Sequence, residues 1–237
     1  MSNLLRRVKH KLKMSFSSIT SKIKSGPLKG YNISLLSGSG FVRGNYEPEK
    51  TDAILNAVKP NDIVLDVGAH IGYFSMLMSK IVGVNGRIYS FEPRPLNYKM
   101  LTKNIEVNNC SNVTIIKSAI GSFTGEVNFD ATTGTGTGHV SNNGNISVAI
   151  TTIDKFCSSE DVKPSFIKID IEGGEVEALH GAKQTILKYK PTILLATHGD
   201  DLDKQCEIFL TEKGYLGEDI NQLKGDKETV WKCAGQK

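Results

Sequence analysis

Three clusters in this chain have residue types and spacing that can do chemistry. The first, Asp66-Val67-Gly68-Ala69-His70-Ile71-Gly72, follows directly on the β-branched run 62–67. A glycine-bearing turn at the carboxyl end of a first parallel strand is where doubly wound folds bind nucleotides. Gly68 lets the backbone turn sharply and approach a ligand, and Gly72 permits close helix packing. The second cluster, Phe91-Glu92-Pro93, places a carboxylate 26 residues beyond Asp66, where it can accept both hydrogens of a ribose diol. A dinucleotide cradle needs G-x-G-x-x-G, yet the position two after Gly68 is His70. Asp66 would also repel a pyrophosphate, and it suits a ligand carrying an amino group and a sulfonium. This chemistry favours S-adenosylmethionine, with Asp66, Gly68, Ala69, His70, Gly72 and Glu92 as its binding residues.

The third cluster is Phe166-Ile167-Lys168-Ile169-Asp170-Ile171-Glu172-Gly173-Gly174-Glu175, an apolar strand that releases carboxylates at its end. In an open α/β sheet that end faces the crevice, so Asp170 is expected beside the cofactor with Glu172 close by. Glu175 and Glu177 suit the first turn of the following helix. His198 closes the next strand, ahead of Gly199-Asp200-Asp201. An alcohol acceptor gains from a base within about 3 Å, and His198 is the first candidate for it, with Asp170 as the second catalytic residue; a capping or loop role for His198 fits its position equally. His139 could enter the site if its loop closes as a lid, whereas His180 falls inside a helix and His10 in a basic arm. Asp170, His198 and Asp200 could offer oxygen-rich ligation to magnesium or manganese. Carboxylates beside such a cofactor also serve its amino group, and no metal is assigned.

The elements that must position these residues alternate short apolar runs with helical patterns, which predicts a doubly wound, mostly parallel α/β sheet. Strands are expected at 62–67, 87–91, 113–120, 166–171 and 192–197, with a weaker pair near Tyr215 and over 230–233; helices are expected at about 71–82, 95–108, 174–190 and 201–213. Two alternating runs, 126–130 and 147–153, flank a Gly/Thr/Asn-rich stretch and predict a β-hairpin insertion.

Residues 1–46 carry nine Lys or Arg and no Asp or Glu, while the whole chain is only +4, so the remainder is net negative. Leu4, Leu5, Val8, Leu12, Phe16, Ile19 and Ile23 recur at three- and four-residue intervals. This predicts a basic amphipathic helix in an N-terminal extension over residues 1–45, ahead of a catalytic domain over 46–237. Residues 1–25 could lie on an anionic membrane or grip an acidic partner, and a helix packed on its own domain would look the same. Aromatic residues do not interleave with the basic ones, which speaks against nucleic acid. No apolar run reaches the roughly 18 residues of a membrane span and no secretory h-region is present, so a cytoplasmic protein, soluble or peripherally membrane-bound, is expected. The four cysteines lie 47, 49 and 27 positions apart, which fits buried free thiols.

Taken together, Asp66 to Phe74, Phe91-Glu92-Pro93-Arg94-Pro95, the Ser118-Ala119-Ile120-Gly121 turn, Thr152-Ile153-Asp154 and Ile167 to Ala182 resemble the FkbM-type methyltransferases over roughly residues 30–200. The resemblance implies a class I, Rossmann-like methyltransferase that uses S-adenosylmethionine to methylate a hydroxyl of a small-molecule, glycan or lipid-linked acceptor. It implies that Asp66, Gly68 and Gly72 line the methionine moiety, Glu92 binds the ribose, Ser118 and Ala119 flank the adenine, and Asp170 closes the pocket. It also implies that Tyr46-Glu47 contacts the cofactor from above. The chain departs from the family pattern at the end of the fifth strand, where members often carry Glu and this chain has Leu195-Ala196-Thr197-His198. Two other readings compete: a nicotinamide-dependent reductase on a similar sheet, and a non-catalytic module that binds membrane or nucleic acid through the basic arm.

Overall fold

The computed structural model describes residues 19–132, 136–223 and 226–235. Its first elements are two short strands, β1 (Thr20–Lys22) and β2 (Asn32–Ser34), paired antiparallel. The expected helix is therefore corrected at Ile19 and Ile23, and the rest of its apolar stripe lies outside the described residues. The reason is local pairing: Ile23 donates its N–H to Tyr31 O at 2.8 Å and accepts from Gly30 N–H at 2.9 Å. Its side chain is buried in the same core cluster as Leu28, Ile33 and Met76.

There follow α1 (Ser39–Arg43), α2 (Pro48–Ala57), β3 (Ile63–Val67), α3 (Tyr73–Val82), β4 (Arg87–Phe91), α4 (Pro95–Val107), β5 (Val113–Ile116) and β6 (Ala119–Ile120). The insertion comprises β7 (Gly125–Asp130), β8 (His139–Val140) and β9 (Ile146–Thr151). The chain closes with α5 (Ile153–Ser159), β10 (Phe166–Ile169), α6 (Glu175–His180), α7 (Lys183–Tyr189), β11 (Thr192–His198), α8 (Asp200–Thr211), β12 (Tyr215–Leu223) and β13 (Asp226–Cys233).

The main sheet has seven strands in the order β12-β13-β11-β10-β3-β4-β5. Strands β11, β10, β3, β4 and β5 run parallel, while β13 and β12 are antiparallel. Apolar runs such as Ile63–Val67 and Phe166–Ile169 form central strands because helices cover both faces. Val64 and Phe166 pack into one core cluster, and Leu65, Val67, Ile167 and Ile169 into the other. The chain winds outward in both directions from β3 and β10, so the crevice opens between their carboxyl ends, at Gly68 and Asp170.

Two expected elements are broken. The third strand stops at Ile116 and resumes as β6, which leaves the main sheet to pair in parallel with β9; with β7 and β8 they form a four-stranded sheet beside the crevice. The long helix expected over 174–190 divides at Gly181-Ala182. Gly181 O accepts from Asp154 N–H at 2.8 Å, and the Asp154 carboxylate accepts from Gln184 and Thr185 N–H at 2.9 and 2.7 Å. Asp154 thereby starts a new helix at its N-terminus. All four cysteines are buried and none forms a disulfide among the described residues, and no helix among those residues is long and apolar enough to cross a membrane.

The N-terminal segment is fastened by two asparagines of α4 and its cap. Asn108 exchanges bonds of 2.7 Å with both backbone groups of Asn32, and Asn104 accepts from Ser34 N–H at 2.9 Å while donating to Ile71 O at 2.8 Å. Asn104→Ala withdraws two buried bonds at once and is expected to cost about 2–3 kcal/mol. Urea unfolding measures this, and a loss under about 0.5 kcal/mol would contradict it.

Candidate functional site

Three strand ends converge on the crevice. Behind the turn that follows β3, Asp66 is fully buried: Ser75 Oγ of α3 donates to its Oδ2 at 2.6 Å, and Lys168 Nζ stands 3.3 Å from its Oδ1. Ser90 Oγ donates to Ser75 Oγ at 2.9 Å, completing a polar row across β10, β3 and β4. Asp66 thus lies beneath the turn, off the cavity lining, with its Oδ1 paired to Lys168 by charge and without a hydrogen-bond partner. Gly72 caps α3 at φ 86° and lies off the cavity, where a Cβ would come within 2.4 Å of Leu101. Its expected packing role is what the structure displays. Gly68, at φ 79°, passes so close to β10 that a Cβ would stand 1.9 Å from Asp170 O.

A cavity of about 360 Å³ runs across these ends, lined by Gly68, His70, Glu92, Ser118, Ala119, Asp170 and Glu172. Gly138, His139 and Val140 of the insertion form its far wall, so His139 does reach the site. A second hollow of about 30 Å³ shares Gly68, His70 and Asp170 and continues between Ala69, Phe41, Tyr46, Tyr73, Phe74 and Lys168. The expected cofactor residues other than Asp66 and Gly72 therefore line the cavity or the hollow that shares its residues.

Glu92 is held at its end of β4 by the N–H groups of Arg94 and His70, at 2.8 and 2.9 Å to its two oxygens. Burial pushes its carboxyl up to about 7, against those two bonds, which favour the charged form. His70 takes a left-handed φ of 52° to make its bond. Burial lowers its ring to about 4, so the imidazole is neutral, and its Nε2 is buried without a partner. Ser118 Oγ donates to Ala119 O at 2.8 Å.

Asp170 is the centre of an ion-pair cluster. Lys50 Nζ of α2, only 3% exposed, lies 2.8 Å from Asp170, 2.6 Å from Glu47 and 2.8 Å from Glu228 of β13. Desolvation alone would raise Asp170, but Lys50 and Lys168 hold its carboxyl well below the usual range. His198 donates through Nδ1 to buried Glu175 at 2.9 Å, and its Nε2 stands 3.8 Å from both Asp170 and Glu172. Burial favours the neutral ring, yet Glu175, Asp170 and Glu172 together lift His198 to about 9. A ring lifted above its ordinary value favours the imidazolium, a form that donates a proton and does not accept one. Glu172, not Asp200, is the third member that meets Asp170 and His198; ligand-type atoms of the three lie within 4.8 Å of one another.

Lys50, Glu228 and Lys168 were not among the expected site residues. Lys168 carried a signal, since a lysine in an otherwise apolar central strand needs a buried partner. Lys50 and Glu228 carried none, because only the fold brings residues so distant in sequence together.

The profile of the methyltransferase FkbM domain matches residues 66–222, which include all three strand ends. The chain belongs to the FkbM methyltransferase family. Within known proteins it is 26% identical over 180 residues to hexuronic acid methyltransferase AglP of Haloferax volcanii, covering 75% of this chain and 72% of that one. Among solved structures, methyltransferase FkbM from Methylobacillus flagellatus superposes with a TM-score of 0.56 at 19% identity, covering 76% of this chain and half of the other. Aeropyrum pernix fibrillarin, solved with natively bound S-adenosyl-L-methionine, superposes with a TM-score of 0.50 at 16% identity over 77% of this chain and 74% of its own. These likenesses agree with the class I sheet order of the family.

The raised His198 sets a pH dependence. A proton bound more tightly in the folded chain than at the ordinary value of 6.5 contributes stability that is full below about 6.5 and is lost as pH rises through about 9. His198→Gln is expected to flatten the fall in urea midpoint between pH 6.5 and 9.5. An equal fall in both proteins would contradict the assignment.

Proposed function

We propose that this FkbM-family methyltransferase transfers the methyl group of S-adenosylmethionine to a hydroxyl oxygen of a sugar or sugar-acid acceptor. The observation that carries the cofactor reading is Glu92. It is a carboxylate fixed by two backbone N–H groups, on the wall of a cavity whose neighbouring turn tolerates only glycine at position 68. The Asn97 side chain also bonds this carboxylate, and the lone-pair capacity that remains can accept from a ribose hydroxyl. Ser118 and Ala119 with the Val140 wall suit the flat, largely apolar adenine. The smaller hollow, with Lys168, the unpartnered His70 Nε2 and the aromatic rings of Tyr46 and Phe74, suits the charged amino-acid end. Carboxylates outnumber cations around Asp170, which favours a ligand bearing a sulfonium and an ammonium.

The bound cofactor supplies an activated methyl group on positive sulfur. The chain's own contribution is to hold donor and acceptor in line at the end of β10 and to exclude water with the insertion. A sugar-type acceptor is supported by the likeness to a hexuronic acid methyltransferase. The reductase reading is disfavoured by His70, whose side chain and left-handed backbone stand where a pyrophosphate cradle needs glycine.

The test is calorimetry across pH. Ribose hydroxyls donate to the charged carboxylate, so affinity for S-adenosylmethionine should rise as pH increases through about 7. Glu92→Gln should weaken binding about tenfold or more at pH 8 and remove that pH dependence. Unchanged affinity in the variant would remove the ribose assignment.

A further inference from the structure

The hydroxyl reading needs a proton acceptor at the crevice. Four carboxylates line the larger cavity: Glu92, Asp170, Glu172 and Glu177. Glu92 is bound by two backbone N–H groups, Asp170 by the Lys50 ammonium, and Glu177 by the Ser122 hydroxyl. Glu172 differs, because among the described residues its nearest charged partner is His198 Nε2 at 3.8 Å, beyond hydrogen-bond reach. Its side chain is 30% exposed, and it opens on the cavity.

We propose that Glu172 is the catalytic base that takes the acceptor's hydroxyl proton, with His198 as its positioning residue. The inference rests on the hydroxyl-methylation reading above. In the step, the acceptor oxygen forms a bond to the methyl carbon and the sulfonium–methyl bond breaks with its electron pair on sulfur. The O–H proton passes to a Glu172 oxygen, leaving S-adenosylhomocysteine and a methyl ether.

The local backbone is built for this placement. Glu172 adopts a left-handed φ of 60°, uncommon for a residue with a side chain, and Gly173 follows at φ 107°. Gly173 N–H donates to the same Glu175 oxygen that holds His198 Nδ1, at 2.9 Å each, so loop and imidazole share one anchor. His198 then presents Nε2 between Asp170 and Glu172 and keeps the Glu172 carboxylate near without consuming its lone pairs. The groups facing Glu172 are Asp170 at the end of β10, Glu175 of α6, His198 of β11 and Asp226 of β13. Desolvation and the three acids raise its carboxyl above the ordinary value while His198 lowers it, which makes Glu172 a better proton acceptor than an exposed carboxylate.

The test measures initial rates of the full chain with S-adenosylmethionine and two probes, methyl glucuronoside and methyl glucoside, across pH, with calorimetric cofactor affinity alongside. Expected for Glu172→Gln is a kcat reduced 100-fold or more, with cofactor Kd within threefold of the parent and the acid limb of the kcat profile gone. Glu172→Asp should recover part of the rate and the limb, which a merely structural role would not explain. With an active parent, a Gln variant within threefold of parental kcat overturns the assignment. So does activity that EDTA abolishes and magnesium restores, since the same side chains would then hold a cation. An alkali-labile ester product overturns it too, because a carboxylate acceptor needs no base. A parent that binds the cofactor and methylates neither probe removes the hydroxyl reading, and the role of Glu172 falls with it.

Discussion

Lys168 sits 2% exposed beneath the turn that follows β3, with Asp66 on one side and Asp170 on the other, and the rest of the site depends on that arrangement. Removing either partner of such a buried pair leaves an uncompensated charge, a cost of about 3–5 kcal/mol, whereas an apolar replacement of the whole pair is often neutral. What the pair supplies is position. Register places Lys168 directly across from Asp66, and Asp66 across from Ser90. The ends of three strands and the start of α3, through Ser75, are thereby fixed to one polar row. Above that row Gly68 passes so close to Asp170 O that a side chain has no room there.

From Lys168 the charge alternation continues outward, through Asp170 to Lys50 and on to Glu47 and Glu228. This draws α2 from the N-terminal side and β13 from the C-terminal edge onto the crevice, so segments far apart in sequence close around one point. Each buried charge is answered by an opposite one, yet carboxylates remain in excess. A cationic ligand completes the balance, which links the packing of the fold to the cofactor it selects. The same excess raises the proton affinity of His198, and its neighbour Glu172 is the carboxylate on the cavity wall that has no ion pair shorter than 3.8 Å.

The strand ends were legible in sequence because a parallel strand buried on both faces reads as a short apolar run, and the residues after it read as its functional end. Gly68, Glu92 and Asp170 could be placed in one crevice on that basis alone, and the Gly/Thr/Asn-rich hairpin was marked by its alternation. Type and position do not reveal that Lys168 lies opposite Asp66; that fact needs strand order. Ile19 and Ile23 fitted a helical spacing but belong to a ribbon, since a few residues cannot separate the two periods when a distant partner strand decides. The break at Gly181 was hidden for a similar reason, because the Asp154 carboxylate that caps the second helix comes from another part of the chain. His198 was rightly drawn to the crevice, but its charge state depends on Glu175, which sequence position marked only as a helix-start acid.

The measurement that bears most directly on this account is a crystal structure of the chain with S-adenosylhomocysteine. The account places both ribose hydroxyls within hydrogen-bond distance of Glu92, the adenine between Ser118-Ala119 and the Val140 wall, and the amino-acid end toward Lys168 and His70. A ligand whose ribose sits on another carboxylate, or which lies outside the crevice between β3 and β10, would contradict it.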